Sequence, residues 1–236
     1  MLVCFRLLGH DGGPFGAFLR GKVDETSDFG QEGNHTVRKL SSAVIAGAAL
    51  CTLAFCAPAA RAQEGIETGD TELRIWTGGG AGLNRGTQGY GVWNAGVRYG
   101  WVITNPMLPG RLRGRFEYAV DFVPVFAVFQ PGGVAHGISF NPVNLKWIFD
   151  ARGRIVPYTE LDGGVVFSTR NVPPGTSTVN FTTATAFGAH FLNDKFDWST
   201  EIRFTHFSNA ALRTPNPGIN SLEVRIGFGL FRHHNR

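Results

Sequence analysis

The chain has 236 residues, a formal net charge of +4, 43% hydrophobic and 12% aromatic residues, and three cysteines. So mild a positive balance, without a basic run or an RNA-binding motif, argues against a nucleic-acid partner. Glycine and proline are plentiful, at 32 and 12 residues, and no segment carries a helical stripe, which points to strands and turns.

Before the first strand lies a targeting segment. Arg38-Lys39 precedes an apolar run over 40–57, and Ala60-Arg61-Ala62 reads as a small-residue cleavage site. A basic start, an apolar centre and a small-residue exit make a secretory signal peptide over 37–62. Its Ala-, Ser- and Gly-rich centre is flanked like a signal and unlike a membrane-spanning helix. Residues 1–36 show no periodicity. They are expected to be an upstream extension from a start codon placed too early, with translation beginning near Val37, or else an unusually long basic region. Leu53-Ala54-Phe55-Cys56 has some likeness to a lipoprotein box, but the bulky Phe55 argues against it. Cleavage after Ala62 removes Cys4, Cys51 and Cys56, so the mature domain, 63–236, has neither disulfide nor thiolate chemistry.

Eight segments of period-2 character follow, near 71–79, 91–104, 111–128, 142–150, 154–168, 179–192, 195–209 and 219–231. Four alternate most clearly. In the second, Trp93, Ala95, Val97, Tyr99, Trp101 and Ile103 oppose Asn94, Gly96, Arg98 and Gly100. In the third, Leu112, Phe116, Tyr118, Val120 and Phe122 oppose Arg111, Arg113, Arg115, Glu117 and Asp121. In the seventh, Phe196, Trp198, Ile202 and Phe204 oppose Asp197, Ser199, Glu201 and Arg203. In the eighth, Leu222, Val224, Ile226, Phe228 and Leu230 oppose Glu223, Arg225, Gly227 and Gly229.

Alternation alone does not say which face is outside. A soluble lipocalin-like barrel would turn the apolar set inward. The polar face, however, mixes glycine with both charge signs, which suits a narrow interior of paired charges. Large aromatics stand toward strand ends, as in membrane-interface girdles. Several segments also exceed the roughly 9–11 residues that cross a bilayer, and a closed barrel is the one sheet without edges to expose to lipid. The expectation is an all-β, eight-stranded antiparallel transmembrane β-barrel behind a cleaved signal peptide. Links over 105–110, 151–153 and 192–194 are short, while those over 80–90, 129–141, 169–178 and 210–219 are longer. This matches short periplasmic turns and long extracellular loops. It puts the end of strand seven at the extracellular rim.

That rim carries His206-Phe207-Ser208-Asn209-Ala210, followed by Arg213-Thr214-Pro215-Asn216-Pro217-Gly218. Residues two apart on a strand share a face, about 6.5–7 Å from one another. His206 and Ser208 therefore stand with Trp198, Ile202 and Phe204, where a base and a hydroxyl have no packing role. Ser208 is a weak nucleophile until a base takes its proton, and His206 is the nearest base. A third group should orient the imidazole, and the turn around Asn216 and the backbone after Ser208 are candidate oxyanion donors.

His-x-Ser-Asn-Ala, then Pro-Asn-x-Gly and a final amphipathic strand, resembles the lipid A 3-O-deacylase family of PagL-type outer-membrane hydrolases and the related bacterial acyloxyacyl hydrolases. The resemblance spans 63–236, with its specific residues within 204–220. It implies an outer-membrane esterase that removes an ester-linked acyl chain from lipid A or a related lipid of the outer leaflet, with no cofactor and no metal. Carried over by position, His206 is the base and Ser208 the nucleophile, while Asn209, Asn216 and Gly218 are motif residues around the oxyanion hole. The implied partners are lipid A or lipopolysaccharide within the membrane, and a second barrel in a homodimer. The pattern departs at one position, because the triad acid, a Glu, is replaced by Asn220. By alternation Asn220 faces outward, whereas Glu223 has inward parity and would need a bulge to come round. Asn holds an imidazole in one tautomer but does not offset its charge, so reduced activity is expected.

Other features read more simply. Residues 78–82 are glycine-rich but lack the Lys-Ser/Thr of a phosphate loop. His136 and His190 lack carboxylate or cysteine partners at ligand spacing. His233-His234 form a solvated tail, and Arg203 with Glu223 or Glu201 with Arg225 read as barrel filling. Two alternatives stand beside the esterase: a non-enzymatic barrel whose triad has eroded, and the soluble ligand-binding barrel.

Overall fold

The computed structural model describes residues 65–151, 153–193 and 196–233. The upstream extension and signal peptide expected over 1–62 lie outside these residues. Eight strands follow in order: β1 (Thr71–Gly82), β2 (Gly91–Val102), β3 (Gly114–Gln130), β4 (Gly133–Phe149), β5 (Ile155–Ser168), β6 (Val179–Leu192), β7 (Asp197–Ser208) and β8 (Ile219–Arg232). Each pairs with its neighbour in sequence, and β8 returns antiparallel to β1, so the sheet closes into a barrel.

The outer face is the apolar one. On β2, Trp93, Val97, Tyr99 and Trp101 are exposed while Asn94, Gly96, Arg98 and Gly100 are buried. Phe204, Val224, Ile226 and Leu161 are likewise exposed. This is the reverse of a lipocalin, whose apolar set lines the inside. Strands of 12 to 17 residues are long enough to cross a hydrocarbon core, which takes about 9–11. Aromatic pairs cluster toward the mouth where β1 begins and β8 ends. Trp101 stacks on Tyr118 at 6.0 Å, Phe116 meets Trp147 edge-on at 4.7 Å, and Trp198 leans on Phe228 at 4.8 Å. That is the placement of an interface girdle.

Inside, charges neutralise one another in layers. Lys146 Nζ donates to Glu72 (2.7 Å) and Glu117 (3.1 Å). Arg98 forks onto Asp121 and reaches Glu160, and Arg203 spans Glu160, Asp162 and Glu201. Arg225 lies 3.6 Å above the Trp76 ring. Buried charges are tolerable only with such partners. The inward glycines make room for them: a Cβ on Gly227 would fall 2.7 Å from Arg74 Cδ and 2.6 Å from Ser199 Oγ. An apolar cluster closes each mouth. Ile66, Val102, Ile148 and Val156 form one, and Val92, Phe126, Val128, Val166, Phe207 and Ile219 the other.

Three expectations need correction. β4 begins at Gly133 and not near 142, because Pro131-Gly132 makes a two-residue turn between Gln130 and Gly133. Gly132 and Gly133 take φ of +85° and +116°, which glycine alone adopts freely. Small residues and His136 then hide the alternation of 134–137. Residues 111–113 are not strand either. A short 3-10 turn, Gly110–Leu112, stands in the link over 103–113, pinned by the Met107–Gly114 bridge. The contrast of short and long links is thus weaker than the sequence suggests. Finally, His233 is not simply solvated, since its Nδ1 lies 3.1 Å from Asp70 Oδ1, tying the end of the barrel to its start.

Candidate active site

Parity fixes the site. Phe207 is 3% exposed and Ile219 is fully buried in the apolar plug, with Phe207 5.6 Å from the Phe126 ring. Burying side chains of this size contributes about 1.5–3 kcal/mol each. Their neighbours His206, Ser208 and Asn220 are consequently driven to the opposite, outer face. All three are half-buried there. No bulge interrupts the β7–β8 ladder, so His206 stands directly opposite Asn220.

Across that pair, His206 Nδ1 lies 2.6 Å from Asn220 Oδ1. Since Oδ1 only accepts, Nδ1 carries the proton and the Nε2 lone pair is left free. Ser208 shares the face of His206, and among the described residues its hydroxyl makes no hydrogen bond. On the other side β6 contributes Phe181 opposite Ser208 and Thr183 opposite His206, both exposed. Phe181 thus gives the serine an apolar flank that the sequence had not singled out.

The motif residues after Ser208 build the connecting loop. The Asn209 backbone N–H donates to Asn216 Oδ1 (3.1 Å), and Asn209 Nδ2 donates to the Arg213 carbonyl (2.9 Å). Asn209 is 1% exposed, and its Oδ1 has no partner among the described residues. Asn216 is exposed, and among the described residues its Nδ2 makes no hydrogen bond. Gly218 has φ +63°, and a Cβ there would sit 2.9 Å from the Phe207 carbonyl and 3.0 Å from His206 Cε1. Only glycine lets the loop pass so close to the imidazole.

Glu223 lies apart from this group. It is 2% exposed inside the barrel, accepting from Asn94 Nδ2 (3.0 Å) and Ser221 Oγ (2.7 Å). Its inward parity stands. The expected Arg203–Glu223 pair is a ladder neighbour only, since Arg203 bonds Glu160, Asp162 and Glu201 instead. Glu201 does meet Arg225 at 3.4 Å.

His190 is the exception to the view that it lacks carboxylate partners. The fold brings it together with Glu72 and Asp197, three groups with ligand chemistry. Sequence spacing could not show this, because β1 meets them through the barrel interior. A cation already stands among them: Arg74 bonds Glu72 at 2.5 Å, His190 at 3.1 Å, and Asp197.

The family model described as Lipid A 3-O-deacylase (PagL) matches residues 90–229. A solved structure described as the crystal structure of the outer membrane enzyme PagL is 23% identical, with a TM-score of 0.49. The match covers 65% of this chain and 97% of that one. No curated protein sequence matches significantly.

Proposed function

The chain belongs to the lipid A 3-O-deacylase family, and from that premise we propose that it is a serine esterase of the outer membrane. In this reading it removes an ester-linked acyl chain from lipid A at the outer-leaflet face of β7 and β8. The observation that carries the reading is the 2.6 Å contact between His206 Nδ1 and Asn220 Oδ1, on the face that also bears Ser208. With Nδ1–H donated to Asn220, Nε2 is the base. It takes the Ser208 proton as Oγ attacks the ester carbonyl, forming a tetrahedral oxyanion. Collapse breaks the ester C–O bond, the proton passes from His206 to the departing sugar alkoxide, and an acyl-serine remains. Water, deprotonated by His206, then releases the fatty acid.

Asn216 Nδ2 is the donor assigned to the oxyanion, since Asn209 spends its backbone and side-chain N–H groups within the loop. Gly218 keeps space for the imidazole. Phe181 flanks the approaching acyl chain, consistent with a substrate arriving from the bilayer.

The test is mass spectrometry of lipid A exposed to purified wild type and to Ser208→Ala. Wild type is expected to release one acyl chain and the variant none. A fully active Ser208→Ala would overturn the assignment. One observation favours a second reading, a non-enzymatic barrel of the same fold: the third member is an uncharged Asn. Wild type that leaves lipid A intact under all conditions would decide for it. Association into a homodimer, part of the same reading, is tested by cross-linking in the membrane.

A further inference from the structure

We infer that Asn84, in the connection between β1 and β2, is a positioning residue for the His206–Asn220 pair. The inference rests on the esterase reading of that pair. Asn84 lies two residues beyond the end of β1 and precedes the segment matched by the family.

The β1–β8 ladder reaches Gly82 opposite Ser221, and the Leu83 N–H adds one further rung to the Asn220 carbonyl at 2.7 Å. There β1 turns away, and the Asn84 side chain continues in its place. Its Oδ1 accepts from the Asn220 N–H at 2.9 Å, and its Nδ2 donates to the Gly218 carbonyl at 3.3 Å. A carboxamide has the donor and acceptor of a peptide unit, so Asn84 acts as a substitute rung for residues 218–220.

The amide is itself held. Thr87, 3% exposed, donates its hydroxyl to Asn84 Oδ1 at 2.5 Å and its backbone N–H to the Asn84 carbonyl at 3.1 Å. These bonds also fix which end of the amide is oxygen. The first residues of β8 are thereby gripped on both edges, by β7 at His206 and Phe207 and by Asn84 on the other side. Without the Asn84 side chain, the Leu83 rung remains, but the Asn220 N–H and the Gly218 carbonyl lose their partners just where the Asn220 side chain must meet His206. Catalytic groups need placement to within about 0.5 Å, and a displacement of about 1 Å can lower a rate about 100-fold.

The experiment measures kcat and KM for fatty-acid release from purified lipid A, using the full chain in detergent. Asn84→Ala is expected to lower kcat about tenfold or more while KM stays within about twofold, the pattern of a mis-set catalytic group. Asn84→Asp keeps the acceptor for the Asn220 N–H but loses the donor to the Gly218 carbonyl, and is expected to lower kcat by about threefold, less than Asn84→Ala. In an Asn220→Ala background, Asn84→Ala is expected to change kcat by less than about twofold, because its effect runs through Asn220. Thr87→Val is expected to lower kcat as well, and carries the test together with Asn84→Asp should Asn84→Ala not fold. Wild-type kcat in Asn84→Ala or Thr87→Val would overturn the inference, as would an equal loss in the presence and absence of the Asn220 side chain. An inactive Ser208→Ala beside an unimpaired Asn84→Ala removes this inference alone, whereas an active Ser208→Ala removes the esterase reading itself.

Discussion

Replacing Asn220 by aspartate changes one atom type and almost no volume. The variant keeps an oxygen where Oδ1 now meets His206 Nδ1 at 2.6 Å, and adds a negative charge that matters only once His206 is protonated. In the proposed mechanism, deprotonation of Ser208 creates that imidazolium, so the added attraction belongs to the transition state and not to the resting state. Two unit charges at about 4 Å attract by about 1 kcal/mol in water and about 4 kcal/mol at the effective dielectric of a protein surface. The half-buried pair lies between these limits, and about 2 kcal/mol corresponds to a gain of about 30-fold in kcat. KM should be nearly unchanged. The assay is acyl release from lipid A in detergent, beside Ser208→Ala as the inactive reference. An Asn220→Asp variant no faster than wild type, with Ser208→Ala inactive, would refute the argument that an uncompensated imidazolium limits this enzyme.

Two further outcomes follow from the barrel interior. Glu223→Gln should leave kcat within about twofold of wild type, because Glu223 points away from His206 and bonds Asn94 and Ser221; a loss near that of Ser208→Ala would show that it acts as the acid after all. Lys146→Met removes a cation that is 1% exposed and serves Glu72 and Glu117, both fully buried, and should destabilise the barrel by about 3–5 kcal/mol. Equilibrium urea unfolding in micelles, followed by tryptophan fluorescence, would read this as a lower midpoint, and an unchanged midpoint would refute it.

Much of the fold was legible because a lipid-exposed barrel writes its two faces into alternate residues. Trp93 to Trp101 on β2 and Phe204 to Val224 across β7 and β8 stand where alternation puts them. Alternation fails where a bulge intervenes. Between Val123 and Phe126 the register slips, so Phe122 faces lipid while Phe126 joins the plug, a reversal invisible in a run of large apolar residues. The β3–β4 turn was missed because Pro-Gly-Gly marks a tight turn and a loop opening equally well. At the site, His206, Ser208 and Asn220 could be placed on one face from local sequence alone. Asn84 could not, because the groups it holds at the site, Gly218 and Asn220, are more than 130 positions away and meet it only when β8 closes on β1. Glu72 likewise meets His190 and Asp197 only across the barrel interior, although those two are seven positions apart on neighbouring strands.

The ion-paired interior and its two apolar plugs have a kinetic consequence. Nothing the size of a lipid can thread this barrel, so under the proposed function the substrate lipid reaches the outer face of β7 and β8 sideways, in the plane of the bilayer. The concentration such a site experiences is a mole fraction in two dimensions. Diluting substrate lipid with inert lipid should slow turnover even at constant bulk concentration, and diluting vesicles in buffer should not.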